Sequence, residues 1–173
     1  MELTYEANSM NLIFRMFLTI ILAYRAAPLN PMDMSRKFMR VLPNDLDVQM
    51  HMNNGRFLSI MDLGRIDLMV RTGFWSVARK NGWFPVVGSV KIDYRRMLTV
   101  FARYEMTSRI VGWDDRWLFL EQQFLIGDKL AARAIFKTMI RSKQGLVTPD
   151  EVMKATGLDL ASPELSNEMK TLI

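Results

Sequence analysis

One stretch decides how this chain folds: Asp45-Leu46-Asp47-Val48-Gln49-Met50-His51-Met52-Asn53-Asn54, followed by an amphipathic segment from Gly55 to Thr72. The first part gathers carboxylates, amides and the chain's only histidine between apolar flanks. Asp and Asn side chains bond nearby backbone N–H groups, so the simplest interpretation is a loop that caps a helix. The functional alternative is a catalytic loop at a helix N-terminus, where free N–H groups and the helix dipole favour developing negative charge.

The segment after this loop has the apolar spacing of one long helix, and the sequence beyond residue 82 changes to a twofold period. The helical positions are Phe57, Ile60, Met61, Gly64 and Leu68. The strand patterns cover 86–94, 101–111, 117–126 and 130–141, and 38–42 is a further candidate strand leading into the loop. Strands separated by short reversals predict an antiparallel sheet. With one long helix, this is an α+β arrangement in which a sheet wraps a helix.

The chain divides into three predicted segments. Residues 1–30 are a hydrophobic helix and linker, 31–147 the helix-and-sheet domain, and 148–173 a helical tail. The first helix is expected to end near Ala26, before Pro28 and Pro31. In the tail, Thr148-Pro149-Asp150-Glu151 has the residues of a capping box, and Ser162-Pro163-Glu164 repeats the start signal.

Composition removes several classes of function. A length of 173 residues suits one domain, and 50% apolar residues suffice for one core. The absence of cysteine excludes disulfides, a cysteine nucleophile and thiolate metal sites, and a single histidine argues against zinc. The net charge of +5 is scattered, and no nucleotide-binding glycine motif occurs. We therefore expect no metal, no cofactor and no nucleic-acid partner.

The N-terminal segment, residues 10–27, is nearly all apolar from Leu12 to Ala27, where Arg15, Thr19 and Arg25 interrupt it. Its cleanest run, Met16 to Tyr24, is nine residues, whereas a spanning helix needs about 20. A helix packed on the body of the protein or on a partner subunit is the first interpretation. Peripheral membrane contact is the second, and a spanning helix or a signal peptide the third. The expected location is cytoplasmic, with membrane-peripheral attachment as the alternative.

The residues from Pro43 to Arg65 resemble the signature of hotdog-fold thioesterases, in a branch that carries an N-terminal hydrophobic segment. That branch has the pattern P-N-D-L-D-x-x-x-H-M-N-N-G-R-[FY]-L-x-x-M-D-L-G-R, and weaker similarity runs from Pro85 to Arg141. The resemblance implies the hotdog fold, with an antiparallel sheet wrapped around one long central helix, an added N-terminal helix and short C-terminal helices. This chain departs from the pattern at Met50, where many members have glycine, and at Gln49, where the plant enzymes have asparagine.

The resemblance also implies an acyl-CoA thioesterase that hydrolyses a fatty or aromatic acyl thioester. Asp47 occupies the second Asp of the D-x-D pattern, so it is the expected general base or nucleophile. His51 is expected to orient water, hold Asp47 or donate to the thioester, unless it only locks the loop through a backbone hydrogen bond. The backbone N–H groups of Asn54 and Gly55 are expected to polarise the carbonyl. Asn53 and Asn54 suit substrate contact and helix capping equally.

Other residues are expected to support this site. Asp45 caps the turn or pairs with a cation. Asp62 and Arg65 form a pair on the helix surface, although some relatives place an acidic residue at the position of Asp62, facing the site.

Two other functions are weighed against the thioesterase, and an oligomeric assembly is expected. One rival is a non-catalytic acyl-binding or membrane-adaptor protein, suggested by Met50 and Gln49. The other is a dehydratase that acts on a hydroxyacyl thioester through His51. The resemblance further implies a homodimer or homotetramer that takes acyl-CoA as substrate, with both subunits contributing to each site.

Overall fold

The computed structural model describes residues 2–172, with side chains described from residue 12 onward. It contains the helices α1 (Glu2–Arg25), α2 (Asn54–Arg71), α3 (Phe74–Asn81), α4 (Pro149–Ala155) and α5 (Asn167–Lys170), and the strands β1 (Ser35–Arg40), β2 (Phe84–Tyr94), β3 (Arg103–Trp113), β4 (Leu118–Ile126), β5 (Lys129–Ser142) and β6 (Gly145–Val147). A short 3-10 turn, Pro43–Asp45, follows β1.

The strands form one antiparallel sheet in the order β1-β3-β4-β5-β2, with β6 beside β5. Strands β1 and β2 are therefore its two edges. Helix α2 lies against this sheet, as a hotdog fold requires. The predicted α+β arrangement, with a sheet wrapped around one long helix, is confirmed.

Helix α2 is the centre of the core, and its ends fall within one residue of the predicted ones. Its sheet-facing side is buried and includes Phe57, Ile60, Met61, Leu63, Gly64 and Leu68. At Gly64 the helix backbone approaches the sheet so closely that a Cβ atom would lie 2.5 Å from Ser108 Oγ and 2.6 Å from Gln122 Nε2. Buried Gln122 donates hydrogen bonds to Met61 O (2.9 Å) and Ser108 Oγ (2.7 Å), which fasten the sheet to the helix at this point.

Helix α1 packs along α2, as the first interpretation of the N-terminal segment expected. Thr19 and Ala23 are buried on its inner side. Its outer side exposes a row of large apolar side chains: Ile13, Phe14, Phe17, Leu18, Ile21, Leu22 and Tyr24. Within the part of the chain that the structure describes, no helix combines the length and apolar character that crossing a membrane requires.

The C-terminal tail differs in part from its prediction. Helix α4 begins at the predicted capping box, where Thr148 Oγ1 accepts the N–H of Glu151 at 3.3 Å. The last helix does not begin at Ser162, because the hydroxyl of that residue accepts the N–H of Trp113 at 2.7 Å. Helix α5 begins after Ser166 instead and is a single turn. The predicted helix start at Ser162 is therefore wrong, because its hydroxyl, the expected capping group, is bonded to the sheet instead.

Candidate functional site

The loop between β1 and α2 holds two carboxylates in different environments. Asp45 is buried, and both of its carboxylate oxygens accept from Arg15 Nη1 at 3.0 Å. Arg56 Nε lies 3.2 Å from the same carboxylate, and the N–H of Leu42 donates to it at 3.0 Å. Asp45 was expected to cap the turn or to pair with a cation, and the structure shows both contacts. This carboxylate joins α1, the loop and α2.

Asp47 lies two residues further on and is only half-buried. Its backbone N–H donates to His51 O at 2.8 Å, and its carbonyl accepts the N–H of Met50 at 3.1 Å, which closes a tight turn. Asp47 Oδ1 accepts the N–H groups of Gln49 (2.9 Å) and His51 (3.4 Å). Among the described residues, no hydrogen-bond donor contacts Oδ2, so only one oxygen of this carboxylate is engaged by the turn.

Met50 has a left-handed backbone conformation, with φ at 60°, and its side chain is exposed. Residues other than glycine adopt such a conformation at a cost, because Cβ crowds the backbone. The departure from the glycine of many thioesterases therefore leaves the turn in place but makes it more strained. Met50 alone gives no structural reason to expect a collapsed loop.

His51 connects the loop to the segment between β2 and β3. Its backbone forms an antiparallel bridge with Thr99, and the next residue, Met52, donates to Leu98 O at 2.8 Å. The Nδ1 atom of its ring is buried and has no hydrogen-bond partner among residues 12–172. The imidazole therefore brings an unsatisfied polar atom to the loop that carries Asp47.

The N-terminus of α2 is already partly occupied by its own cap. Asn53 Oδ1 accepts the N–H of Gly55 at 2.8 Å, so that donor reaches a ligand only if the cap moves. No acceptor in the described part of the chain takes the N–H of Asn54. Tyr94 donates from its hydroxyl to Asn54 O at 2.9 Å, and burial raises the pKa of Tyr94 above its ordinary value. Asn54 thus offers the free donor at this helix end, and the substrate contacts assigned to residues 53–55 remain a prediction.

A second feature lies away from this loop and was not visible in the sequence. A half-open, mostly apolar cavity of about 440 Å³ lies between α1, α2, α4 and the sheet. Most of the residues that line it are aliphatic, and no residue between 45 and 55 contributes to it. A pocket of this size and character suits the apolar part of a small ligand. Within one chain, the loop and the cavity are therefore separate features.

The cavity contains one buried guanidinium, that of Arg65 on α2. It donates to Gln122 Oε1 at 2.9 Å and to the carboxylate of Asp62, and its centre lies 4.0 Å from the ring centroid of Phe136. Burial lowers the pKa of Arg65 below its ordinary value, although the charge and hydrogen bond of Asp62 oppose that change. The side chain of Asp62 is 60% exposed, so the predicted pair lies partly at the cavity wall rather than wholly on the surface. Across the described residues, no group of three His, Asp or Glu side chains has the arrangement of a metal site.

Residues 41–166 match the model of the thioesterase-like superfamily. Protein THEM6 of Xenopus laevis is 32% identical over 134 residues, which cover 75% of this chain and 62% of that protein. Thioesterase lcsJ of Purpureocillium lilacinum is 25% identical over 157 residues, which cover 76% of this chain and 51% of that protein. The chain thus spans about half to two thirds of the length of these relatives. The crystal structure of YbaW, a probable thioesterase from Escherichia coli, superposes with a TM-score of 0.65 at 19% identity, over 70% of this chain and 94% of that one.

Proposed function

The chain belongs to the thioesterase-like superfamily, and on this premise we propose that it hydrolyses the thioester of a fatty or aromatic acyl-CoA. The observation that carries the proposal is the free Asp47 Oδ2 in a turn that precedes the N-terminus of α2. A carboxylate in the loop before a helix whose first N–H group has no acceptor in the described residues supplies the two groups that thioester hydrolysis needs. The carboxylate supplies the base or nucleophile, and the N–H group stabilises the oxyanion.

The proposed reaction uses this pair in one of two ways. As a general base, Asp47 takes a proton from water, the resulting hydroxide attacks the carbonyl carbon, and the C–S bond then breaks as the thiolate receives the proton. As a nucleophile, Asp47 attacks the carbonyl itself, expels the thiolate and forms an anhydride that water hydrolyses. In both routes the oxygen that becomes negative faces the N–H of Asn54. One such donor typically contributes about 3–4 kcal/mol of transition-state stabilisation.

A panel of fatty and aromatic acyl-CoAs, incubated with the protein and a thiol reagent, tests this proposal. We expect release of one thiol for each carboxylic acid formed, on at least one member of the panel. A new enoyl absorbance without thiol release would instead identify the dehydratase. Tight ligand binding without either signal would identify the acyl-binding adaptor, and both of these results would contradict hydrolysis.

The adaptor remains the second candidate because of one observation. Helix α1 exposes large apolar side chains along its outer side, and this row suits an apolar partner or the interface of a membrane. An enzyme and a non-catalytic protein can both carry such a helix. Measured turnover therefore distinguishes the two functions, whereas binding of α1 to a membrane or a partner does not.

We further propose that the active form is a homodimer joined through β2, and that each site uses residues of both chains. Strand β2 is an eleven-residue edge strand, and Val86, Val87 and Val90 expose apolar surface along it. An open, apolar edge of this length tends to pair with another chain. Pairing of two copies would also bring the loop of one chain toward the cavity of the other, which one chain by itself keeps apart.

Light scattering at micromolar concentration is expected to give the mass of a dimer or a tetramer. Val90→Lys should shift the protein toward the monomer, because a charge on the pairing edge opposes association. Phe38→Lys is the matched control, since Phe38 is exposed on β1, the opposite edge of the sheet. A wild-type protein that is folded and monomeric would contradict the proposed assembly.

A further inference from the structure

The outer face of the sheet, which points away from α2, carries arginines that pair with carboxylates. Ser108 and Gln122 face α2, and side chains alternate between the two faces of a strand. Their neighbours Arg109 and Glu121 therefore lie on the outer face, where the guanidinium is 2.6 Å from the carboxylate. The carboxylate of Glu121 also accepts from Arg133 on β5 at 2.7 Å. Each of these positive charges is offset by a carboxylate.

Two arginines at the end of this face lack such a partner. Arg40, the last residue of β1, lies directly opposite Arg103, the first residue of β3, and both are exposed. Arg36 on the same strand pairs with Glu105 at 2.5 Å, whereas no carboxylate among residues 12–172 pairs with Arg40 or Arg103. Like charges directly opposite each other on neighbouring strands destabilise a sheet. A bound anion would remove that cost.

The two unpaired arginines line a groove of about 560 Å³ on the outer face. Its volume falls in the range of about 300–1,000 Å³ that small-molecule sites occupy. Phe38 lines the groove beside Arg40, and Glu105 also contributes to it, although the ion pair with a neighbouring arginine offsets the charge of Glu105. At Gly127, in the turn between β4 and β5, an added Cβ atom would meet no atom within 4 Å. The groove is therefore open at this turn.

Phe38 brings an exposed aromatic ring to the two arginines. The residue is 82% exposed and precedes Arg40 by two positions, so both side chains lie on the outer face, about 7 Å apart. A ring with this exposure offers its surface for stacking with a planar group. Guanidinium groups bind phosphate oxygens through paired, charge-assisted hydrogen bonds. The groove thus combines the two kinds of contact that recognise a phosphorylated base.

The groove lies at the end of the sheet where β1 leads into the loop of Asp47. Val41 continues the pairing of β1 by one residue, since its N–H donates to Ala102 O at 3.0 Å. Asp47 follows Arg40 by seven residues, and such a stretch spans at most about 25 Å. The groove and the reacting carboxylate are therefore near enough for one elongated substrate to contact both.

We propose that this groove binds the 3′-phosphorylated ADP end of acyl-CoA, with Arg40 and Arg103 on its phosphates and Phe38 against its adenine. The flexible pantetheine arm then runs from the groove to the thioester at Asp47. This inference rests on the proposed thioester hydrolysis, and it identifies CoA rather than a carrier protein as the bearer of the acyl group. The three residues bind the substrate and take no part in bond breaking.

The test measures binding of adenosine 3′,5′-bisphosphate, the nucleotide end of CoA without its arm, to the full-length protein by titration calorimetry. Adenosine and inorganic phosphate are titrated separately. We expect the bisphosphate to bind at least about 5-fold more tightly than either fragment, because adenosine lacks the charge-assisted hydrogen bonds and phosphate lacks the stacking. Its affinity should fall as salt is added, since the groove is open to solvent.

Single substitutions locate the site. Arg40→Gln and Arg103→Gln should each weaken binding of the bisphosphate about 10-fold or more, as loss of a charged hydrogen bond does. Phe38→Ala should weaken it about 5-fold or more, which is the contribution of one stacked base. Arg116→Gln is the matched control, because it removes the same charge from an exposed arginine at the opposite end of the β3–β4 hairpin. This control should bind the bisphosphate as tightly as the wild-type protein.

Thiol-release kinetics give a second measurement. Arg103→Gln should lower kcat/KM for an acyl-CoA about 10-fold, through a higher KM. The same acyl group on N-acetylcysteamine lacks the nucleotide, so its hydrolysis should not distinguish this variant from the wild-type protein. The melting temperature of Arg103→Gln should not fall, because the substitution removes a repulsion between opposite arginines. Weaker binding in this variant therefore does not arise from unfolding.

Absence of bisphosphate binding, or binding that survives in both Arg40→Gln and Arg103→Gln, would overturn the proposal. Equally tight binding of adenosine would overturn it too. Inorganic phosphate that binds as tightly as the bisphosphate would make the groove a site for free phosphate, which also contradicts it. Thiol release from acyl-CoA without bisphosphate binding would refute the groove and leave the hydrolysis intact. Bisphosphate binding in a protein that releases no thiol from any acyl-CoA would refute the hydrolysis and leave the nucleotide site standing.

Discussion

The Asp47→Asn variant is expected to release thiol from acyl-CoA with a kcat at least about 100-fold below that of the wild-type protein, since general-base assistance typically contributes 10²- to 10⁴-fold. Asparagine keeps the volume of the side chain and one oxygen for the N–H groups of Gln49 and His51. It removes the negative charge that either a base or a nucleophile requires. Rates measured under saturating substrate, with circular dichroism on the same samples, check this expectation.

The His51→Ala variant tests the second residue that is expected to take part in catalysis. The proposed role of His51 is to position water or the thioester, so its loss should cost less in kcat than the loss of Asp47. The ring brings a buried Nδ1 atom that no described residue satisfies, and removal of the ring should leave the backbone bridge to Thr99 intact. If kcat falls further in His51→Ala than in Asp47→Asn, and both variants are folded, His51 rather than Asp47 is the main catalytic residue.

The Asp45→Asn variant is expected to lose about 3 kcal/mol of the free energy of unfolding, because removal of one partner from a buried ion pair leaves the other charge uncompensated. Asp45 has no exposed side-chain surface, and the guanidinium groups of Arg15 and Arg56 both depend on it. Denaturant unfolding monitored by circular dichroism measures the change. The kcat of the molecules that remain folded should fall far less than in Asp47→Asn, because Asp45 Oδ atoms are fully engaged.

Glu105→Gln is the matched control for this stability change. Its carboxylate pairs with Arg36, whose side chain is 56% exposed, and such surface pairs contribute about 0–1 kcal/mol. The control should therefore unfold at nearly the wild-type midpoint. If Asp45→Asn and Glu105→Gln lose similar free energy, the buried pairing of Asp45 has no special structural role.

The fold was predictable from the sequence because its local patterns agree with its tertiary contacts. The apolar spacing after residue 54 is helical, and the structure buries that same face of α2 against the sheet. The twofold pattern beyond residue 82 marks strands β2 to β5 to within a few residues. The structural contacts of Asp45 were also predicted, whereas the catalytic role of Asp47 stays a prediction.

The features that the sequence did not reveal all depend on contacts between distant residues. The cavity joins side chains of α1, α2, α4 and the sheet, and no single segment carries its pattern. Helix α5 begins later than predicted because the hydroxyl of Ser162 accepts the backbone N–H of Trp113 on β3. Local signals therefore located the loop but not the volume that a ligand would fill.

The most direct test of the central claim compares thiol release by Asp47→Asn and Asp62→Asn on the same acyl-CoA. Asp62 is the rival acid, because it lies at the cavity wall beside Arg65. If the loop carboxylate carries the chemistry, Asp47→Asn is nearly inactive and Asp62→Asn retains a substantial part of the wild-type kcat, with both variants folded by circular dichroism. Near-normal turnover by Asp47→Asn together with an inactive Asp62→Asn would place the reacting acid on α2 and contradict the assignment.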